Sequence, residues 1–119
     1  MAIRGLRGAI TVLQDTKEDI LSATKELLQK MLKENKLGIE DIASIIFSTT
    51  PDLTSEFPAF AARQMGMDYT PLLCTHEMNV PGSLKKCVRI LMHVNTAKTQ
   101  KEMRAIYLRE AASLRPDQK

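Results

Sequence analysis

Residues 2–13 alternate between apolar and other side chains with a period of two. Leu6, Ile10 and Val12 share one face, and Arg7 lies on the other face among small side chains. This alternation is typical of a half-buried β-strand. We therefore expect a strand from which Arg7 projects on a side that has room for a ligand.

Residues 17–35 repeat their apolar side chains at the spacing of an amphipathic helix. We expect Asp15 or Thr16 to cap its start, and Asn35 or Gly38 to end it. The predicted apolar stripe consists of Ile20, Leu21, Leu27, Leu28, Met31 and Leu32.

The middle of the chain predicts three more strands and a second helix. Residues 42–50 are β-branched and apolar, as in a central strand, and a helix is expected to begin near Pro58. Residues 69–74 contain an internal proline, which favours an edge strand or a strand start. Residues 85–94 alternate again, and Arg89 lies opposite their aliphatic row.

Residues 99–114 are ambiguous, because their propensity is helical and only Ile106 and Tyr107 suggest a strand. Periodicity alone favours a helix here. The interleaved strands and helices predict an α+β (mixed α/β) fold, in which two helices cover one side of a mixed β-sheet. Residues 1–119 are expected to form a single domain, with 115–119 as a flexible C-terminal tail.

Composition fits a small globular domain with a modest core. The chain has 119 residues, 44% of them apolar and only 4% aromatic, and Trp is absent. Short chains with few aromatic residues often gain burial by forming oligomers. A net charge of +3 favours anionic ligands only mildly, and we expect no nucleic-acid partner.

Two cysteines do not make a disulfide framework, and no leader or membrane-length apolar run stands out. We therefore expect a cytoplasmic protein that does not engage a membrane. The sequence also lacks nucleotide-binding and zinc motifs, so neither a cofactor nor a metal is predicted.

Arg7 and Arg89 both lie opposite the aliphatic row of their strands. Two interpretations stay open, namely solvent-facing arginines on a half-exposed sheet or an anion site, since guanidinium groups bind carboxylates in a bidentate manner. Glu77 lies in a loop and is either a solvated carboxylate or part of such a site.

Other polar candidates have simple structural interpretations. His76 and His93 match no metal motif and are expected at the surface or in packing contacts. Cys74 would be a nucleophile only beside a base, and otherwise acts as a small hydrophobe. Tyr107 is expected to pack its ring and expose its hydroxyl group.

Four segments, in order and covering nearly the whole chain, resemble the monofunctional chorismate mutases of the trimeric mixed α/β class. They are IRGLRGAITV, FSTTPDLTSEFPAFAARQMG, PLLCTHEMNVPGSLKKCVRILMHVNT and IYLREAASLRPD. The resemblance implies rearrangement of chorismate to prephenate, in phenylalanine and tyrosine biosynthesis, without a cofactor. It implies a homotrimeric pseudo-barrel whose active sites lie between subunits, and it puts Tyr107 on a strand, against the helical interpretation.

The resemblance also implies roles for individual residues. Arg7 and Tyr107 would hold a substrate carboxylate, Arg89 would lie beside the breaking ether bond, and Glu77 would meet the ring hydroxyl. The wall under that hydroxyl would be Leu73, Cys74, Thr75 and His76, with backbone groups mattering most at Leu73 and His76. The rim from the adjoining subunit and the tail would be Phe57, Arg63, Leu114 and Arg115.

Two other functions fit a small trimer with an arginine in a cleft between subunits. One is a non-catalytic regulatory trimer that binds small dicarboxylates. The other is an imine or enamine deaminase of similar architecture, although the characteristic motifs of those enzymes are missing from this chain.

Overall fold

A five-stranded mixed sheet organises residues 1–114, the part of the chain that the computed structural model describes. Its strands are β1 (Ala2–Thr11), β2 (Ile42–Thr49), β3 (Leu72–His76), β4 (Cys87–Thr96) and β5 (Ile106–Leu108), and its helices are α1 (Lys17–Glu34) and α2 (Ala59–Gln64). The strand order is β3-β2-β4-β1-β5. Strand β4 pairs antiparallel with β1 and β2, whereas β3 and β5 add parallel edges.

The long ladder between β1 and β4 fixes how the two strand arginines relate. Arg7 is opposite Leu91, and Ala9 is opposite Arg89. Arg7 and Arg89 are therefore diagonal neighbours on the same face, where such positions are separated by about 7–8 Å. The register brings together the two arginines that the alternation singled out.

The other face of the sheet carries the core, because the aliphatic rows of the strands meet the apolar stripe of α1 there. Phe47 and Ile10 are fully buried, as are Leu27, Leu28 and Met31 of α1. Helix α2 adds Ala62 to the same cluster. The predicted α+β fold, a mixed sheet covered by two helices, is confirmed.

Helix α1 is capped at both ends by residues that were among the predicted caps. Thr16 is the N-cap, and its hydroxyl accepts a 3.1 Å hydrogen bond from the Asp19 amide. Asn35 is the C-cap and is buried. Its side chain donates to the Arg104 carbonyl at 3.0 Å and accepts from the Arg104 amide at 2.8 Å. The end of α1 therefore fixes the segment that leads into β5.

The predicted helix over residues 99–114 is wrong. The chain forms short 3-10 turns at Gln100–Glu102 and Arg109–Ser113, with β5 between them. Tyr107 pairs in register with Ala9 of β1, as the family resemblance implied. The helical propensity of this segment is overridden, because its backbone forms hydrogen bonds with the edge of β1 and with the side chain of Asn35.

The edge position of β3 is confirmed, although the strand begins after Pro71 and is shifted toward the C-terminus relative to 69–74. Among the described residues, no helix combines the length and the apolar character that crossing a membrane requires.

Gly8 lets α1 approach the sheet closely. A Cβ atom at Gly8 would lie 2.6 Å from the Met31 sulfur and 3.1 Å from Leu27 Cδ1. We expect Gly8→Ala to lower the free energy of unfolding by about 1–3 kcal/mol, since the added methyl overpacks the core. Denaturant unfolding at fixed protein concentration measures this change.

Gly5 is the matched control on the same strand. A Cβ atom there would meet only Leu91 Cδ1, at 3.8 Å. Gly5→Ala should therefore leave the free energy of unfolding near that of the wild type. Equal effects of the two substitutions would contradict the account of Gly8.

Candidate active site

A cavity of about 270 Å³ opens on the face of the sheet opposite helices α1 and α2. Its lining includes the charged and phenolic side chains of Arg7, Glu77, Arg89 and Tyr107, together with Leu114. The remaining lining consists of Gly8, Ala9, Ile46, Ser48, Ile90 and Leu91. Two cations, one acid and one phenol thus converge on a cavity with an apolar floor, an arrangement suited to an anionic organic molecule.

Arg89 and Glu77 form a loose ion pair across this cavity. Arg89 Nη1 lies 3.9 Å from Glu77 Oε1, and the two side chains are 47% and 27% exposed. Glu77 follows β3 and is fixed by its amide, which donates to the Thr49 carbonyl at 2.7 Å. At this distance and exposure the pair contributes little to stability, so the guanidinium retains donors for a ligand.

The start of β4 is held by side chains from the turn after β2. The Cys87 amide donates to Thr50 Oγ1, and the Lys86 amide donates to Asp52 Oδ2, each at 2.9 Å. Lys86 has a positive φ of 51°. These bonds fix the backbone just before Arg89, and therefore the point from which its side chain extends.

Arg7 and Tyr107 come from neighbouring strands on the same face. Within residues 1–114, no carboxylate forms an ion pair with Arg7. Arg109 fixes the end of β5, because it donates to the Thr11 carbonyl at 3.1 Å and to Glu26 Oε1 at 3.0 Å. Arg7 thus offers an unpaired guanidinium beside a positioned phenol.

Three of the predicted wall residues, Cys74, Thr75 and His76, line a second cavity of about 400 Å³ together with Phe57 of the predicted rim. Its lining is Thr49, Leu53, Thr54, Ser55, Glu56, Phe57, Pro58, Cys74, Thr75 and His76. No residue lines both cavities. Cys74 is in register with buried Phe47, which turns it toward the helices. Within one copy of the chain, the predicted site residues therefore lie on two separate surfaces.

Three predicted residues lie outside both cavities or outside the described chain. Leu73 is 58% exposed on the edge strand β3. Arg63 lies on α2 and donates to the Asp68 carbonyl at 3.3 Å. Arg115, like the rest of the predicted tail, lies beyond the residues that the structure describes.

Neither cysteine has the properties of an activated thiolate. Burial raises the pKa of Cys74, and a hydrogen bond involving the Ala59 backbone lowers it only in part. Burial also raises the pKa of Cys87 to about 11, although the nearby Arg89 guanidinium acts in the opposite direction. Both thiols are therefore neutral near pH 7, which disfavours a covalent role.

Residues 3–118 match the family model described as chorismate mutase type I. Two curated relatives, both named chorismate mutase AroH, match over nearly the whole length of both chains. The relative from Bacillus subtilis is 48% identical over 98% of this chain and 93% of its own length. The relative from Thermus thermophilus is 54% identical over 97% of this chain and 95% of its own length. This chain belongs to the type I chorismate mutase family.

A solved chorismate mutase from Clostridium thermocellum has the same fold. It superimposes with a TM-score of 0.90 at 48% identity, over 92% of this chain and 97% of its own. The family expected from the four sequence segments is thereby confirmed, and with it the assignment of this chain to the enzymes of the chorismate mutase class. These matches leave the imine or enamine deaminase alternative without support.

Ser48, Ile46 and Leu91 of this chorismate mutase were not predicted as cavity residues. Ser48 is opposite Arg89, and Ile46 is opposite Leu91, on the ladder between β2 and β4. The period of two in β2 gives these residues a common face. Their place beside Arg89 depends on the strand order, which the alternation does not specify.

Proposed function

We propose that this chorismate mutase rearranges chorismate to prephenate in clefts between neighbouring copies of a cytoplasmic homotrimer. One observation carries the proposal, namely the convergence of Arg7 and Arg89 with Glu77 and Tyr107 on a single cavity. Chorismate carries two carboxylates, an ether oxygen and a ring hydroxyl. The cavity offers a complementary group to each of these kinds of substituent.

The reaction is intramolecular and concerted. The ether C–O bond breaks as a new C–C bond forms between the enolpyruvyl arm and the ring, so atoms and electrons balance without a second reactant. A catalyst has two tasks, which are to hold the arm folded over the ring and to stabilise the charge that separates as the C–O bond breaks.

Arg89 performs the electrostatic task. Its guanidinium presents a fixed positive charge and N–H donors to the ether oxygen, which becomes negative in the transition state. Glu77 accepts a hydrogen bond from the ring hydroxyl and favours the positive charge that develops on the ring. The 3.9 Å separation of the two side chains leaves both groups free to turn toward substrate.

Arg7 and Tyr107 perform the positioning task. The Arg7 guanidinium binds the carboxylate of the arm in a bidentate manner, and the Tyr107 hydroxyl donates to the same group. Holding this carboxylate converts a rarely populated folded conformer into the bound one.

A neighbouring copy completes the cleft with its second cavity. In one copy, Phe57 is 69% exposed and Leu73 is 58% exposed, and the cavity around Arg89 lacks a cover. Exposed apolar groups beside open cavities are typical of interaction surfaces. A heterologous contact, in which the Phe57 surface of one copy covers the Arg89 surface of the next, closes as a ring of three.

The free thiols of Cys74 and Cys87 support the cytoplasmic part of the proposal, because thiols persist in a reducing compartment.

Mixing purified protein with chorismate tests the function directly. We expect the ultraviolet absorbance of chorismate to fall while prephenate appears in stoichiometric amount. Saturable binding of chorismate with no prephenate would instead support the regulatory dicarboxylate-binding trimer. Light scattering on the same sample should give the mass of three chains, and a monomeric active protein would contradict the shared cleft.

A further inference from the structure

Asp15 connects the chain before α1 to the loop that precedes α2. Its Oδ1 accepts the amides of Thr54 at 2.9 Å and Ser55 at 3.0 Å, and its Oδ2 accepts the Thr54 hydroxyl at 3.0 Å. The Asp15 carbonyl also accepts the Ser55 hydroxyl at 2.7 Å. No other side chain in residues 1–114 accepts two successive backbone amides of a loop in this way.

The loop that Asp15 holds is one wall of the second cavity. Residues 53–58 contribute more than half of that cavity's lining and include Phe57. The loop has no regular secondary structure between Leu53 and Phe57. Loops without a hydrogen-bonded ladder open at low free-energy cost, so the bonds to Asp15 determine how long this wall keeps its shape.

Lys17 makes two weaker contacts nearby, one with the loop and one with the first turn of α2. Lys17 Nζ lies 3.8 Å from Glu56 Oε1 and 5.6 Å from the ring centroid of Phe60.

Burial raises the pKa of Asp15, but hydrogen bonds from Thr54 and Ser55 outweigh burial and bring that pKa below its usual value. Asp15 is therefore an ionised acceptor under ordinary assay conditions.

We propose that Asp15 is a positioning residue that holds the loop wall, residues 53–58, in the shape that chorismate binding requires. The inference rests on the proposed function, in which this wall covers the substrate bound at the Arg89 surface of a neighbouring copy. Asp15 itself touches no substrate.

The inference predicts a specific kinetic signature. Phe57 contacts the substrate through apolar surface, which serves the ground state and the transition state alike. Loss of such uniform binding raises KM and leaves kcat nearly unchanged. A residue needed only for global stability would instead lower the amount of active enzyme and leave KM unchanged.

Asp15→Ala, Asp15→Asn and Asp15→Glu form the test set. We expect Asp15→Ala to raise KM for chorismate about tenfold, with kcat within about threefold of wild type. Asp15→Asn keeps an oxygen for both amides and should keep the wild-type KM within about twofold. Asp15→Glu keeps the charge but moves it by one methylene, so it should raise KM.

Hydrogen–deuterium exchange of the 53–58 segment gives a readout that does not depend on activity. Its amides should exchange faster in Asp15→Ala and Asp15→Glu but not in Asp15→Asn. Glu18→Ala is the matched control, because it removes an exposed acid from the same helix start without touching the loop. It should change neither exchange nor KM.

Three results would overturn the inference. The first is an unchanged KM in Asp15→Ala despite faster exchange of the loop amides, and the second is unchanged exchange in Asp15→Ala. The third is wild-type kinetics in Asp15→Glu together with a raised KM in Asp15→Asn. If Asp15→Ala does not fold, the Asn and Glu variants still decide between position and charge. A wild-type protein without turnover would refute the proposed function instead, so the two failures are distinguishable.

Discussion

Replacing Arg89 by alanine is expected to lower kcat about 10²–10³-fold, the range found when one preorganised donor to a developing oxyanion is removed. In the proposed mechanism, the ether oxygen beside Arg89 becomes charged only in the transition state, so kcat should fall more than KM rises. The side chain is 47% exposed, and its removal leaves no void in the core. The fold should therefore survive, as far-ultraviolet circular dichroism and unfolding midpoints will show.

Arg89→Lys separates charge from geometry at the same position. Lysine keeps a positive charge, but its ammonium is a point charge on a flexible stem and lacks the planar fork. We expect activity between those of Arg89→Ala and the wild type. Arg104→Ala is the matched control, because it removes an exposed arginine whose partner is Glu34 and should retain wild-type kinetics. Near-normal turnover in purified Arg89→Ala would contradict the electrostatic role.

Replacing Arg7 by alanine is expected to lower kcat/KM about 100-fold, since charge-assisted bonds to the arm carboxylate contribute about 1.5–3 kcal/mol. In the proposed mechanism, Arg7, unlike Arg89, binds a group that is charged before and during the reaction. Part of the loss should therefore appear as a higher KM. The remainder should appear in kcat, because an unpinned arm populates unreactive conformers.

Arg4→Ala provides the control for Arg7. Arg4 lies on the same strand, and its Nε donates to the Lys98 carbonyl at 2.9 Å instead of lining the cavity. Steady-state kinetics with chorismate should distinguish the two variants clearly. If both lowered kcat/KM equally, the effect of Arg7 would reflect strand charge or stability and not carboxylate binding.

Alternation along β1 and β4 predicted the face of Arg7 and Arg89 because a period of two is a local property. The pairing of Arg7 with Leu91 and of Ala9 with Arg89 is not local. It depends on β1 and β4 being neighbours in the sheet. The alternation therefore predicted two candidate arginines, and the register made them members of one cavity.

Residues 99–114 show the opposite case. Their helical propensity is genuine, but β5 is stabilised by partners far away in the chain, namely β1 and the side chain of Asn35. A window of local sequence contains neither partner. The strand at Tyr107 was predicted correctly only through the resemblance to a family.

The local sequence pattern also could not predict that residues close together in the chain line two different cavities. Glu77 and Cys74 are three positions apart, yet they line different cavities. Cys74 lies on β3 in register with Phe47, while Glu77 follows the strand and turns toward Arg89. Family resemblance groups these residues in one site, and in the proposed assembly they meet again across two neighbouring copies.

Mixed trimers test the shared cleft most directly. Arg89→Ala disables one surface, and Phe57→Asp disables the other by placing a carboxylate against an anionic substrate. The two variants are co-expressed with different tags, and only trimers that carry both tags are purified. In a ring of three heterologous contacts, every such trimer has a single interface that pairs two intact surfaces.

We predict that these mixed trimers regain about a third of wild-type activity, one site in three, although each parent trimer is nearly inactive. Mixed trimers of Arg89→Ala and Glu77→Ala should stay inactive, because both changes lie on the same surface and no interface escapes them. Failure of the Arg89→Ala and Phe57→Asp pair to regain activity, with assembly intact, would contradict a site shared between neighbouring copies.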